Sequence, residues 1–155
     1  MTGTMQQEDD MPEFIPTPVD WVREQVELYE GSGGTEGTTL LDTGLPVIIV
    51  TCIGNKTGGI RKVPLMRVKV DEGYVLIGSN GGADNDPTWV HNFRANPDVE
   101  LRDETEVTKM RIREVHDDPE RARFWAAGVE AFPTYEKYKA KTPRAKIPVF
   151  IAEPV

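Results

Sequence analysis

From residue 46 onward, short apolar runs alternate with polar turns in the manner of a β-sheet protein. Val47–Ile53 is a nearly continuous run of mostly β-branched residues, which predicts a strand buried on both faces. Residues 60–70 alternate between apolar and basic side chains in their second half, and the turn at 71–73 predicts a hairpin to a strand over 74–79. Three further strands are predicted over residues 99–102, 107–115 and 147–152.

The N-terminal part of the chain predicts one amphipathic helix. Thr17 is a suitable N-cap, and Pro18 suits the first helical turn. The glycine-rich residues 31–34 end this helix, and residues 31–39 are expected to form a flexible linker or flap. Apolar residues recur at helical spacing, and the expected buried stripe consists of Trp21, Val22, Val26 and Tyr29.

Helical signals return in the second half of the chain. Asp86 is a predicted N-cap and Pro87 the first residue of a short helix that runs through Phe93. Asp117 and Pro119 begin an amphipathic helix, and another short helix follows it. The side chains expected to pack from these two late helices are Ala122, Phe124, Trp125, Val129, Tyr135 and Tyr138.

Six or so strands with short connections predict a mainly β protein of the α+β class, an antiparallel barrel with one N-terminal helix and late inserted helices. The strand–helix–strand rhythm of a doubly wound nucleotide fold is absent from the sequence. Residues 1–16 are polar and acidic with two prolines, which predicts a flexible arm. Residues 17–155 are expected to form one domain, as the length of 155 residues favours.

Composition excludes several classes of protein. The net charge is -8, which disfavours binding to the phosphate backbone of nucleic acids. The longest apolar run, residues 46–50, is far shorter than the roughly 20 residues of a membrane-spanning helix. The acidic N-terminus lacks the pattern of a signal peptide, so a cytoplasmic or membrane-peripheral location is expected.

The charge is unevenly distributed. Residues 51–70 contain five bases and no acid, whereas residues 1–50 contain ten acids and one base. A basic segment in an acidic chain indicates either a binding site for a compact anion or a solvated strand face. The turn at 54–59 resembles a phosphate-binding loop only superficially, because the Walker order of glycine and lysine is missing and a strand follows. Its glycines and Lys56 remain suited to binding an anion.

Metal and cysteine chemistry are not indicated. The two histidines, His91 and His116, have no ligand-like partners at helical or hairpin spacing. Cys52 lies in the most apolar strand and is expected to be a packed residue rather than a reactive thiolate. Four aromatic residues lie beside predicted loops or short helices, where they either plug the barrel mouth or line a pocket for a planar ligand: Trp89, Phe132, Tyr135 and Tyr138.

Several motifs in a fixed order resemble the deazaflavin-dependent nitroreductase family. They are GNKTGGIR at 54–61, PL at 64–65, SNGG at 79–82, PTW at 87–89 and NFRANP at 92–97. IPV at 147–149 and EP at 153–154 resemble the C-terminus of that family. The likeness covers roughly residues 17–155.

This resemblance implies an FMN-binding-like split β-barrel that uses coenzyme F420, an anionic deazaflavin, to reduce quinones, conjugated double bonds or nitroaromatic compounds. It implies that Lys56 and Arg61 bind the acidic tail of the cofactor. Ser79 would stabilise the negative charge that develops on the substrate, and Tyr135 or bulk water would supply the proton. The implied cofactor-binding residues are Asn55, Lys56, Thr57, Arg61, Pro64, Leu65, Met66, Ile77, Gly78, Ser79, Asn80, Pro87, Thr88, Trp89 and Asn92. The implied substrate-binding residues are Met66, Phe132, Tyr135 and Tyr138.

The sequence departs from the family at four of these positions. Asn55 and Asn80 stand where the family often has basic residues, so we expect that the tail is held less tightly or that Lys62 holds it instead. Met66 and Phe132 stand where the nitroimidazole-activating member has tyrosines, which implies weak activity on nitroimidazoles. The alternatives are an FMN-dependent oxidoreductase of the same barrel and a non-catalytic carrier of the deazaflavin. The expected partners are a small planar electrophile and a second copy of the chain.

Overall fold

A computed structural model describes residues 12–155, so residues 1–11 of the predicted arm lie outside the described residues. The four helices within this range are α1 (Asp20–Gly31), α2 (Thr88–Ala95), α3 (Asp118–Ala131) and α4 (Thr134–Lys141). The seven strands are β1 (Val47–Ile53), β2 (Ile60–Met66), β3 (Lys69–Val70), β4 (Gly73–Ile77), β5 (Asp98–Asp103), β6 (Glu106–Glu114) and β7 (Val149–Pro154). A short 3-10 turn, Asn80–Gly82, follows β4.

The strands form one antiparallel sheet in the order β2-β1-β5-β6-β7-β4-β3. The sheet curls into a half-barrel, which confirms the mainly β, split-barrel prediction. β1 and β2 pair along their whole length, with Val50 opposite Val63. β7 lies between β6 and β4, so this last strand is an interior strand of the sheet rather than an edge strand.

β1 is buried on both faces, as its continuous apolar run predicts. Ile48 and Val50 face a core cluster that contains Phe93 of α2, whereas Val47 and Ile49 face the cluster beneath α1. A third cluster packs α3 and α4 against β4 and β7. The helices therefore cover both faces of the sheet and meet near the ends of β2 and β4.

Several predicted boundaries are wrong. Residues 60–70 form two strands rather than one, and β7 begins at Val149 rather than residue 147. α1 begins after Val19, and Thr17 only accepts a hydrogen bond from the Val19 N–H, 3.3 Å long, outside the cap position. Pro87 is the N-cap of α2 because the Asp86 carboxylate binds Arg144 instead.

The part of the predicted arm that the structure describes is paired with the sheet. The Ile15 N–H donates to the Ile60 carbonyl at 2.9 Å, and the Ile60 N–H donates to the Glu13 carbonyl at 2.7 Å. These bonds extend β2, which is otherwise an edge strand, and satisfy backbone groups at its start. Residues 13–15 are therefore anchored to the domain.

Candidate functional site

A cleft of about 350 Å³ opens where α1, β2, the end of β4, α2 and the α3–α4 corner meet. It brings together eleven residues that the sequence analysis assigned to the site: Pro64, Leu65, Met66, Ile77, Ser79, Asn80, Pro87, Trp89, Phe132, Tyr135 and Tyr138. Seven other assigned residues do not line it: Asn55, Lys56, Thr57, Arg61, Gly78, Thr88 and Asn92. The cleft walls are mostly apolar and aromatic, as suits a planar ligand.

One wall of the cleft is the outer part of β2. Pro64, Leu65 and Met66 are all half-buried there. A proline is compatible with this strand because β2 pairs with β1 on one side and lies at the sheet edge on the other. The result is an apolar wall at the edge of the sheet.

The opposite wall is the end of β4. Ser79 is 7% exposed and begins the 3-10 turn, but its side chain does not cap that turn. Its hydroxyl thus has no partner among residues 12–155 and is available to a ligand in the cleft. Asn80, with φ of 48°, and the glycines after it adopt left-handed conformations, which turn the chain sharply away from the cleft.

Arg144 fixes this wall, and no sequence pattern indicated it. Its guanidinium donates to the backbone carbonyls of Gly78 at 3.0 Å and Ser79 at 2.5 Å, and to the Asp86 carboxylate at 2.6 Å. The Arg144 side chain is 10% exposed. A single cation therefore joins the end of β4 to the residue before Pro87 at the start of α2.

Gly78 contributes through packing rather than through the cleft surface. A Cβ at this position would lie 2.9 Å from Cγ2 of Val90. The glycine therefore lets α2 approach β4 closely, which places Trp89 at the cleft. Trp89 is 9% exposed and packs against Phe93 with a ring-centroid distance of 4.9 Å.

An aromatic cluster from the α3–α4 corner closes the cleft. Phe132 and Tyr135 meet edge to face with ring centroids 5.0 Å apart, and Tyr138 lies 6.2 Å from Phe132. Burial, and to a lesser extent the neighbouring Tyr138, raises the pKa of Tyr135 above its usual value. The Tyr135 phenol therefore stays protonated near neutral pH and can act as a hydrogen-bond donor.

Helix α1 supplies cleft residues that the sequence analysis missed. Trp21, expected in the buried stripe, is 46% exposed and lines the cleft together with Gln25. The Gln25 amide donates to the carbonyls of Gly37, at 3.2 Å, and Thr39, at 2.8 Å. Its Oε1 atom is buried without a partner among the described residues. Three other cleft residues, Leu40, Val47 and Gly81, were also missed because the fold, rather than a motif, brings them there.

The basic turn at 54–59 contacts α2 at Asn92, one helical turn after the cleft residue Trp89. The Asn55 N–H donates to Oδ1 of Asn92 at 2.9 Å. The N–H groups of Gly58 and Gly59 bond to the Gly54 carbonyl and the Thr57 hydroxyl. Among described partners, only the Lys56 and Thr57 N–H groups of residues 55–59 remain available to an anion, fewer than the whole turn predicted from the sequence.

Ion pairs within residues 12–155 occupy two of the five bases of residues 51–70. Lys62 binds Glu30 at 2.5 Å, and Arg67 binds Asp103 at 2.9 Å. The pairing of Lys62 with Glu30 favours the first of the two expectations from the sequence, that the tail is held less tightly. Lys56 and Arg61 have no carboxylate partner within residues 12–155, which leaves two cations at the turn for an external anion.

Glu30 links α1 to the sheet. Its carboxylate binds both Lys62 and Arg102. Burial raises the pKa of Glu30, but the hydrogen bonds from the two cations outweigh that effect and lower it overall. The network ties α1 to β2 and β5, and thereby positions Trp21 and Gln25.

Burial raises the pKa of Cys52 to about 11, more than the nearby Arg61 and the hydrogen bond with Asn92 lower it. Cys52 is thus a packed, protonated residue. Within residues 12–155, no group of three His, Cys, Asp or Glu side chains forms a candidate metal site. None of the helices in the same range is both long and apolar enough to cross a bilayer.

Comparison with known proteins decides the family. Residues 21–154 match the profile of the F420H(2)-dependent quinone reductase family. The chain belongs to this family. An F420H(2)-dependent quinone reductase of Mycobacterium tuberculosis is 30% identical over 126 residues, which cover 80% of this chain and 83% of the relative.

Solved structures agree with this membership in the quinone reductase family. An F420-H2 dependent reductase, FDR-A, is 41% identical with a TM-score of 0.64, covering 70% of this chain and 94% of that one. A structure described as a domain-swapped dimer is 42% identical with a TM-score of 0.67, covering 88% of this chain and 100% of that one. Membership in an F420H(2)-dependent quinone reductase family identifies the protein as an oxidoreductase and confirms the expected cofactor class.

Proposed function

We propose that this protein uses reduced coenzyme F420, bound in the cleft with its acidic tail toward the 54–59 turn, to reduce small planar electrophiles, quinones above all. The family match over residues 21–154 carries this proposal. The residues present suit such a cofactor: the cleft walls are flat and apolar, and Lys56 and Arg61 offer charge without competing carboxylates among the described residues.

When bound, reduced F420 supplies a hydride. The role of the protein is to hold donor and acceptor in the cleft, exclude water and stabilise the negative charge that develops on the acceptor. The Ser79 hydroxyl is placed for that stabilisation because it lines the cleft and has no partner among the described residues. The Tyr135 phenol stays protonated and can donate a hydrogen bond to the reduced acceptor, and its raised pKa makes bulk water the better source of the proton.

The cleft composition favours quinones and conjugated double bonds over nitroimidazoles. Met66 and Phe132 line the cleft and carry no hydroxyl to bind a nitro group. The hydroxyls at the substrate end come from Tyr135 and Tyr138. We therefore expect weak turnover of bicyclic nitroimidazoles and better turnover of quinones.

We also propose that the protein forms a homodimer. The similar structure described as a domain-swapped dimer supports this assembly. Light scattering coupled to size-exclusion chromatography tests it, and a mass near 17.3 kDa would contradict it.

A cytoplasmic location is part of the proposal. Its support is the single free cysteine, Cys52, which is buried and protonated rather than cross-linked within the described chain. Cell fractionation with a specific antibody tests this location.

The decisive experiment titrates the purified protein with F420 and with FMN, and then follows oxidation of reduced F420 by a panel of quinones. Tighter binding of F420 with quinone turnover is expected. Tighter binding of FMN would identify a flavin enzyme of the same fold. F420 binding without turnover of any acceptor would identify a carrier. Either result overturns the proposal.

A further inference from the structure

A second cavity, lined by none of the cleft residues, adjoins α4. It has a volume of about 460 Å³ and lies between α3, α4 and the segment that leads into β7. We call it the back cavity and define it by Arg121, Trp125, Lys139, Lys146 and Ile147. Tyr135 and Tyr138 of α4 face the cleft, whereas Lys139 of the same helix lines the back cavity.

The lining of the back cavity is strongly basic. Arg121, Lys139 and Lys146 line it together with one carboxylate, Asp118. A fourth lining cation, Arg144, is already paired with Asp86 outside the cavity. Neither Lys139 nor Lys146 forms an ion pair with any residue of 12–155, so three cations face a single acid.

The sequence around this cavity repeats the charge asymmetry of residues 51–70. Residues 137–146 contain five bases and no acid in a chain whose net charge is -8. Unpaired cations grouped around a concavity raise the local concentration of anions, an effect that an acidic surface elsewhere would oppose. The function proposed above assigns no role to the two lysines of this segment that line the cavity, Lys139 and Lys146.

An apolar ring and a fixed guanidinium complete the lining. The Trp125 indole N–H donates to the Glu136 carboxylate at 2.8 Å, which holds the ring in place. The Lys139 ammonium lies 5.5 Å from the centroid of that ring. Arg121 donates to the Ile147 carbonyl, which holds the guanidinium at the other side of the cavity.

From this arrangement we infer that the back cavity is a binding site for a small aromatic carboxylate, separate from the cleft. The carboxylate would accept charge-assisted hydrogen bonds from Lys139, Lys146 and Arg121. The ring would pack beside Trp125 and Ile147. The volume suits a ligand of one or two rings.

The test uses the full-length protein labelled with ¹⁵N and titrated with 2-naphthoate, with 2-naphthalenemethanol as the neutral control. We expect naphthoate to shift the indole N–H signal of Trp125 and the backbone signals of residues 145–147, with a Kd on the order of 1 mM or tighter. The alcohol should shift them far less, because it lacks the charge.

Matched variants on one helix separate a built site from general attraction. The double variant Lys139→Gln/Lys146→Gln should bind naphthoate about tenfold more weakly, since it loses two charge-assisted contacts. Lys137→Gln removes an exposed lysine from α4 outside the cavity and should leave the affinity unchanged.

Three results would overturn the inference. They are the absence of shifts at the back cavity, equal affinity for acid and alcohol, and equal loss of affinity in the double variant and in Lys137→Gln. Shifts confined to Trp89 and its neighbours would assign naphthoate to the cleft and would likewise overturn it. Because the probe is not F420, none of these results depends on the proposed reductase activity.

Discussion

Asn92 on α2 accepts a hydrogen bond from the backbone N–H of Asn55, 2.9 Å away in the basic turn. Trp89, one helical turn earlier, lines the cleft. One face of a single helix therefore holds the anion-binding turn and the planar cleft in a fixed relationship. The Asn92 side chain contacts the turn and is 3% exposed, and its direct contact with the cofactor stays a prediction.

Replacing Asn92 with leucine should remove the acceptor of the Asn55 N–H, a partly buried hydrogen bond. This costs about 0.5 to 1.5 kcal/mol, and part of the cost should appear as weaker F420 binding because the turn loses its position. Asn92→Asp keeps an acceptor oxygen for the turn but adds a negative charge beside it, so it should bind F420 more weakly than the leucine variant. A fluorescence titration of F420 measures the effect, and equal affinities for all three proteins would contradict it.

Arg144 and Asp86 should behave as a coupled pair. Removing either partner leaves the other charge poorly solvated and loosens the contacts to Gly78 and Ser79. We expect Arg144→Met and Asp86→Asn each to lower the free energy of unfolding by about 3 kcal/mol. The double variant should lose less free energy of unfolding than the sum of the losses in the two single variants.

A double-mutant cycle from denaturant unfolding measures that coupling, which we expect at about 1 to 3 kcal/mol. Arg144→Lys keeps the charge but not the fork of donors, so it should recover only part of the stability. Strict additivity of the two single changes would show that the contact contributes nothing as a pair.

Lys56 and Arg61 are the two bases of residues 51–70 that we expect to bind the acidic tail. Lys56→Ala and Arg61→Ala should each weaken binding of F420 by about 1 to 3 kcal/mol, as loss of a charge-assisted contact does. Lys69→Ala, an exposed base of the same segment, is the control and should have no effect. The comparison ligand is a deazaflavin without the tail. Equal losses with that ligand would place these residues elsewhere in the site.

These contacts also show what could be predicted from sequence. β1 was predicted to the residue because its apolar run is continuous and bounded by turns, which are local signals. The fate of the bases was not predictable, since Lys62 binds Glu30, which lies 32 residues earlier, and Arg67 binds Asp103, 36 residues later. Such pairs arise only when the sheet closes.

The cleft residues also divide into those that the sequence predicts and those that only the fold brings together. Most of its predicted residues came from the family resemblance and do line it, but Trp21 and Gln25 were missed for a physical reason. The helical pattern places Trp21 with the buried stripe. In the structure, the α1 residues buried against the sheet are Val26 and Tyr29. Arg144 gave no signal at all, since its acceptors are backbone carbonyls that have no sequence signature.

Glu30 should make stability sensitive to acid. Its pKa is lower in the folded protein than the ordinary value of 4.5, so the folded state favours the ionised form. The resulting stabilisation is fully present above the unfolded pKa and is lost as the pH falls through the folded pKa. We therefore expect the free energy of unfolding to fall below about pH 4.5.

Glu30→Gln should be less stable than the parent near neutral pH, and the difference should narrow as the pH falls below about 4.5. Glu24→Gln, an exposed change on the same helix, is the control. Urea unfolding at a series of pH values measures both. A constant difference between Glu30→Gln and the parent across that range would rule out Glu30 as the source.

Ser79 provides the sharpest test of the cleft chemistry. A hydroxyl that binds the charge developing on the acceptor matters in the transition state and little in the ground state. Ser79→Ala should therefore lower kcat for quinone reduction by about tenfold to a thousandfold, while the affinity for F420 changes by less than about threefold. Thr108→Ala removes an exposed hydroxyl from β6, a strand that does not line the cleft. It should alter neither kcat nor the affinity for F420. Melting curves on the same proteins separate catalysis from packing: if Ser79 only packs the end of β4, the variant will melt earlier and keep the parent kcat per folded molecule.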